Sequence, residues 1–252
     1  MWRLLLIGVL IICLAWAAPY DPLKTNTSNQ LQAPSAAHPF GTDILGRDVL
    51  SRFLHGGQQT LLSASAAALI AIIPSTGLAF VAAGDTRLQR IQLLILQALL
   101  AIPNLLLALV ILTVLGRSEV SATVAVGLGQ IPVFTLVIRA AILGVQSEGY
   151  IESARAAGAN PLWLATRHVF PNLIPTLATY GAVTFSYCLM NSAALNFLGM
   201  GGELGKPEWG VMLAEGRAVF RAAPWVALPP GIAITALIWS INRWAVAQRG
   251  FR

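Results

Sequence analysis

The chain has 252 residues, of which 56% are hydrophobic and only 10% charged, and its 16 Lys and Arg against 10 Asp and Glu leave a net charge of +6. With a mean hydropathy of +0.71, this is too apolar and too poor in charge for a soluble domain and belongs in a bilayer. The apolar runs are long and unbroken, which argues for helices rather than a barrel, whose strands would alternate over about ten residues.

Residues 1–18 hold an apolar run, Leu4–Ala18. It is short for a span, and Arg3 with the Ala15-Trp16-Ala17 triplet also fits a cleavable signal peptide. As a retained helix it would place Trp2 and Trp16 near the two membrane interfaces.

Residues 19–57 read as extracytoplasmic. Pro19 to Ala37 is rich in Pro, Thr, Asn, Ser and Gln and has no apolar period, so it is a linker. In HPFGTDILGRDVLSRFLHGG, Asp43 precedes Arg47 by four residues and Asp48 precedes Arg52 by four. Leu45, Val49 and Phe53 gather with Ile44, Leu50 and Leu54 toward one side, and the spacing predicts an amphipathic helix along the outer interface. Gly41 to Asp48 nearly matches a phosphate-binding loop, but Arg47 and Asp48 stand where lysine and Ser/Thr are needed. A carboxylate there would repel phosphate, so no nucleotide site is expected.

Residues 58–248 hold five stretches long enough to cross a hydrocarbon core, which takes about 20 helical residues. They are Gln58–Ala83, Ile91–Leu115, Ser121–Val145, Asn172–Leu198 and Pro224–Gln248. Cys13 and Cys188 both lie in apolar runs, and His38, His55 and His168 are scattered. Neither a disulfide framework nor a metal site is expected, and no cofactor. The glycines and prolines of 199–223 break helices, and Trp209 and Trp225 suit a membrane interface.

The polar stretch within 146–171, EGYIESARAAGANPLWLATRHVFP, separates two of these spans. Gly158 suits the position after a helix end, where positive φ costs least. Asn160 can cap a second short helix with Pro161 in its first turn, and Pro171 closes the segment. The reading is a helix-turn-helix at a membrane face. With that loop in the cytoplasm, nine of the 16 basic residues fall on its side: Arg3, Arg87, Arg90, Arg139, Arg155, Arg167, Arg243, Arg249 and Arg252. Seven of the 10 acids fall on the other, and this distribution reads as topology rather than as a nucleic-acid-binding face.

Three motifs carry a family resemblance. Glu152-Ser153-Ala154, Gly158 and Phe170-Pro171 resemble the Glu-Ala-Ala loop of ABC importer permeases, with Ser153 and Phe170 as mild departures. Gly41, Thr42, Asp43, Gly46, Arg47, Asp48, Ser51 and Arg52 resemble the GTDxxGRDxxSR signature of the dipeptide, oligopeptide and nickel branch of those importers, although Gln58 stands where that branch usually has arginine. Phe197–Gly201, Pro207–Leu213, Ala214–Arg217 and Ala223–Trp225 resemble the segment between its last two spans.

The resemblance implies an all-α membrane protein of six spans with a cytoplasmic coupling loop, in which residues 1–18 are a retained first helix and 249–252 a cytoplasmic tail. It implies a bacterial or archaeal cytoplasmic membrane and a non-catalytic permease subunit importing peptides, or nickel or metal chelates. The implied partners are membrane lipid, a second and different permease, two ABC ATPases that hydrolyse the ATP, and an extracytoplasmic solute-binding protein. It assigns ATPase coupling to the loop. Glu152, Ala154 and Gly158 set its docked shape, Leu162, Trp163 and Phe170 give apolar contact, and Arg155 and Arg167 give charge, with Ser153 and Pro171 as the remaining loop residues.

An ion-coupled secondary transporter would need intramembrane acids or inverted repeats with matching broken helices, and neither is found. A membrane enzyme would need a catalytic cluster such as HExxH or GxSxG, which is absent from the sequence.

Overall fold

The computed structural model describes residues 18–84, 86–201 and 205–249. Apart from Ala18, the expected first helix lies outside them, as do Cys13 and the 250–252 end of the tail. The described helices are α1 Val49–Ala82, α2 Arg87–Leu100, α3 Asn104–Leu115, α4 Glu119–Gln146, α5 Gly149–Ala156, α6 Pro161–Leu164, α7 Phe170–Phe197, α8 Trp209–Val219 and α9 Leu228–Arg249. A π-turn, Ala165–Val169, joins α6 to α7.

Helix α4 packs along α1, α7 and α3, and α7 in turn packs on α1, α8 and α9. The α1–α4 contact is close because Gly127 carries no side chain: a Cβ there would lie 2.7 Å from Ala67 O and from Ile70 Cγ2. Alanines line the same seam, with Ala67 and Ala125 both at 0% exposure. Small residues at such contacts let helix backbones approach where lipid removes the hydrophobic drive for association. Near the Gly149–Pro171 loop the core is Phe134, Ile138, Ile142, Val169 and Leu173, while the far end is built on Val49, Leu61, Leu189, Trp209 and Met212.

Among the described residues, three helices are long and apolar enough to cross a membrane: Val49–Ala82, Glu119–Gln146 and the continuous run Pro161–Phe197. The expected single span Ile91–Leu115 is instead α2 and α3, bent by 100° at a short break, and only the pair taken together makes a fourth candidate. Pro103 is the cause. It disfavours helical backbone at the preceding Ile102 and itself adopts φ −53°, ψ 132° as the N-cap of α3. With 14 and 12 residues, each arm is about 20 Å long or less at 1.5 Å per residue, short of a hydrocarbon core of about 30 Å.

Two further expectations change. The amphipathic helix around Asp43–Leu54 does not form as read, because α1 starts only at Val49, with Asp48 as its N-cap. Gly46 at φ +71° turns the chain before it. Trp209 is fully buried rather than interfacial: its ring stacks on Phe53 at 5.4 Å and its Nε1 donates to Phe53 O at 2.9 Å.

Candidate functional site

The loop after α4 is held to the bundle by apolar residues at wide spacing. Ile151, Leu164 and Val169 are 1%, 5% and 2% exposed, and they are the residues with which α5, α6 and the π-turn face the bundle. Nine of the ten residues assigned to the loop face outward: Glu152, Ser153, Arg155, Gly158, Leu162, Trp163, Arg167, Phe170 and Pro171 are exposed, and Ala154 is half-buried.

Helix α5 ends in a Schellman motif. Gly158 N–H donates to Arg155 O and Ala159 N–H to Ala154 O, both at 3.0 Å, with Gly158 at φ +85°. Asn160 then accepts from Leu162 N–H at 2.8 Å through its side chain, with Pro161 in the first turn of α6. The result is an apolar tip, Leu162 at 72% and Trp163 at 49% exposure, standing on a structured turn.

Pro171 does not close the segment. The helix runs through it into α7, because the π-turn absorbs the defect: Phe170 N–H reaches back five residues to Ala165 O. Proline has no N–H to give to the carbonyl four residues before it, and the widened turn accommodates that missing bond.

At the far end, the GTDxxGRDxxSR residues form a buried knot of charge rather than a surface helix. Asp43 accepts from Leu45 N–H at 2.8 Å, from Arg47 N–H at 3.0 Å and from Arg47 Nε at 2.7 Å, and it also pairs with Arg52 Nη1. Both arginines reach Glu215 on α8, Arg47 at 3.0 Å and Arg52 at 2.7 Å, and both donate to Gly205 O. Asp48 does not pair with Arg52. It accepts from Ser51 N–H and Oγ at 2.8 Å and meets His38 Nδ1 at 2.8 Å. Two arginines and two carboxylates neutralise one another, as burial requires.

Beside the knot, Glu208 caps α8. It accepts from Thr60 Oγ1 at 2.8 Å and Val211 N–H at 2.9 Å, and its burial raises its carboxyl above the ordinary range. Glu208, Glu119, Gln58, Gln59, Asn196 and His55 border a polar cavity of about 250 Å³ between the ends of α1, α4 and α7.

Sequence reasoning did not find Glu215 and Gly205 as partners of the signature arginines, because they lie more than 150 positions away in the chain. It also missed Tyr150, His168 and Asn172, which join α5 to the base of α7. The signals were present in part, since Tyr150 and His168 lie within the loop and Asn172 directly follows it, but Tyr150 meets the other two only across most of the loop's length.

The family described as binding-protein-dependent transport system inner membrane component matches residues 75–248. The dipeptide transport system permease protein DppC of Alkalihalophilus pseudofirmus is 32% identical over 249 residues, covering 95% of this chain and 82% of the relative. The di/tripeptide transport system permease protein DppC of Pseudomonas aeruginosa is 34% identical, covering 95% and 81%. The glutathione transport system permease protein GsiD of Escherichia coli is 34% identical, covering 94% and 79%. In fold, the chain is similar to an inward-facing structure of the MetNI methionine ABC transporter, with a TM-score of 0.61, 19% identity and coverage of 81% and 97%. It is also similar to an amino acid ABC transporter crystallised with histidines, at 0.59, 18%, 80% and 93%. The chain belongs to the binding-protein-dependent inner membrane component family and is a membrane permease of the peptide branch of ABC importers.

Proposed function

We propose that this permease forms half of a translocation pathway for peptides or a related small solute, as a six-span subunit paired with a second, different permease. An extracytoplasmic solute-binding protein delivers the solute to the far end, and two cytoplasmic ATPases dock on the Gly149–Pro171 end. The apolar tip Leu162–Trp163, exposed on a capped turn directly below the bundle core, carries the reading. An exposed Leu–Trp pair on a polar, basic loop offers a partner cleft an apolar anchor with Arg155 and Arg167 beside it. The loop reaches the bundle through the continuous α6–π–α7 helix, so a rigid-body displacement of the docked tip is passed to a membrane-crossing segment. Peptides are the solute class because the relatives are named as dipeptide, di/tripeptide and glutathione permeases.

The test is co-expression with the ATPases and permease encoded beside it, followed by purification in mild detergent. The ATPases are expected to co-elute with the unaltered chain and to be lost with Leu162→Asp, which touches no buried contact. An unaltered chain that purifies without ATPases overturns the reading.

A further inference from the structure

The coupling loop contains a brace that its outward-facing residues do not explain. Trp163 and His168 are five residues apart, a spacing that sets them about 140° apart around an α-helix at about 100° per residue. Yet their rings meet edge to face at 4.7 Å. Leu164 and Val169 are also five apart, and both are buried against the bundle. Both coincidences have one cause, the π-turn Ala165–Val169 with its five-residue hydrogen bond from Phe170 to Ala165.

On its other side His168 faces Tyr150 of α5, with ring centroids 5.9 Å apart. Asn172, in the first turn of α7, donates to Tyr150 Oη at 3.2 Å and to His168 O at 2.7 Å. The imidazole Nε2 is buried without a hydrogen-bond partner. The ring packs between the first loop helix and the exposed tip.

Resting on the docking role argued above, we propose that His168 is a positioning residue for transport: with Tyr150 and Trp163 it locks the π-turn, so that displacement of the docked tip reaches α7 rather than being absorbed in the turn. Conversion of the π-turn to α-helix would rotate the tip relative to α7 by about one residue, or 100°. A turn free to make that change would let the tip follow the ATPases while the span stayed still. The three-ring contact disfavours the conversion, because an α-helical register separates Trp163 from His168 and exposes Leu164 or Val169.

The experiment is hydrogen exchange read by mass spectrometry on the purified complex with its ATPases, with and without a non-hydrolysable ATP analogue. In the unaltered complex the analogue is expected to change exchange at least twofold in both 149–164 and 170–185. His168→Ala keeps the first response and loses the second, and His168→Phe, which preserves a flat ring, restores it. If His168→Ala fails to assemble, Tyr150→Leu opens the brace from α5 and is expected to show the same split.

The proposal is overturned if either opened variant transmits the response to 170–185 like the unaltered chain. It is overturned equally if His168→Phe behaves as His168→Ala, or if the unaltered complex shows no response beyond the loop. Failure of the docking reading itself looks different: the unaltered chain then yields no complex with the ATPases.

Discussion

Arg52, in the first turn of α1, donates to the Glu215 carboxylate of α8 at 2.7 Å across 163 positions of sequence. The arginine side chain is 1% exposed and the glutamate 14%. Removing the cation leaves the buried Asp43 and the partly exposed Glu215 with only Arg47 between them. Loss of one partner from such a buried cluster costs about 3–5 kcal/mol. Arg52→Met is therefore expected to lower the thermal midpoint in detergent strongly. Glu215→Gln, which keeps an acceptor at the more exposed rim, is expected to cost distinctly less. Equal and small shifts in the two variants would show that the knot does not hold this end together.

The seam between α1 and α4 gives a sharper packing test. An alanine methyl at Gly127 would lie 2.7 Å from Ala67 O, which is backbone and cannot swing away. Gly127→Ala is expected to destabilise by about 1–3 kcal/mol through overpacking. Gly144, on the same helix, has nothing within 4 Å of the added methyl. Gly144→Ala is therefore expected to be neutral or slightly stabilising. A thermal unfolding comparison of the two checks this, and an unchanged midpoint for Gly127→Ala would contradict the close approach.

Gly158 separates conformation from contact. A Cβ there meets nothing within 4 Å, but the backbone sits at φ +85°. The cost of Gly158→Ala is then the left-handed backbone alone, about 1–2 kcal/mol, felt in the loop and not in the core. The expected result is faster amide exchange at Gly158 and Ala159, whose N–H groups close the Schellman motif, with an unchanged global midpoint. Unchanged exchange at those two amides would count against it.

What was legible in the sequence was whatever depends on local chemistry. Long apolar runs marked α1, α4 and α7, and Gly158, Asn160 and Pro161 marked the loop turn because each residue type has one economical place at a helix end. What escaped was set by partners distant in the chain or by register. Asp43 and Arg47 do pair at four residues' separation, but across a turn at Gly46, so the same spacing that suggests a helix here encodes a buried knot completed by Glu215. Pro103 broke a span whose hydropathy alone looks continuous, whereas Pro171 broke nothing, because a π-turn took up its missing bond. Both prolines lack the N–H that a continuous helix needs, and the sequence does not mark which of them has a widened turn before it.

Glu208 makes the stability of the far end depend on pH. Burial raises its carboxyl above the ordinary value, against the lowering influence of its bonds to Thr60 and Val211. The folded chain therefore binds the proton over a window above the unfolded carboxyl's range, where the unfolded chain has released it. Stability changes with pH as the protons bound unfolded minus those bound folded, a negative difference in that window, so stability falls as pH rises through it. Glu208→Gln keeps an acceptor for the Val211 N–H but has no proton to lose, and its stability should be flatter across the same range. Thermal midpoints of both proteins from pH 4.5 to 8 test this. The unaltered chain is expected to lose stability relative to Glu208→Gln as the pH climbs, and parallel curves would show that Glu208 ionises in the folded state as it does in the unfolded one.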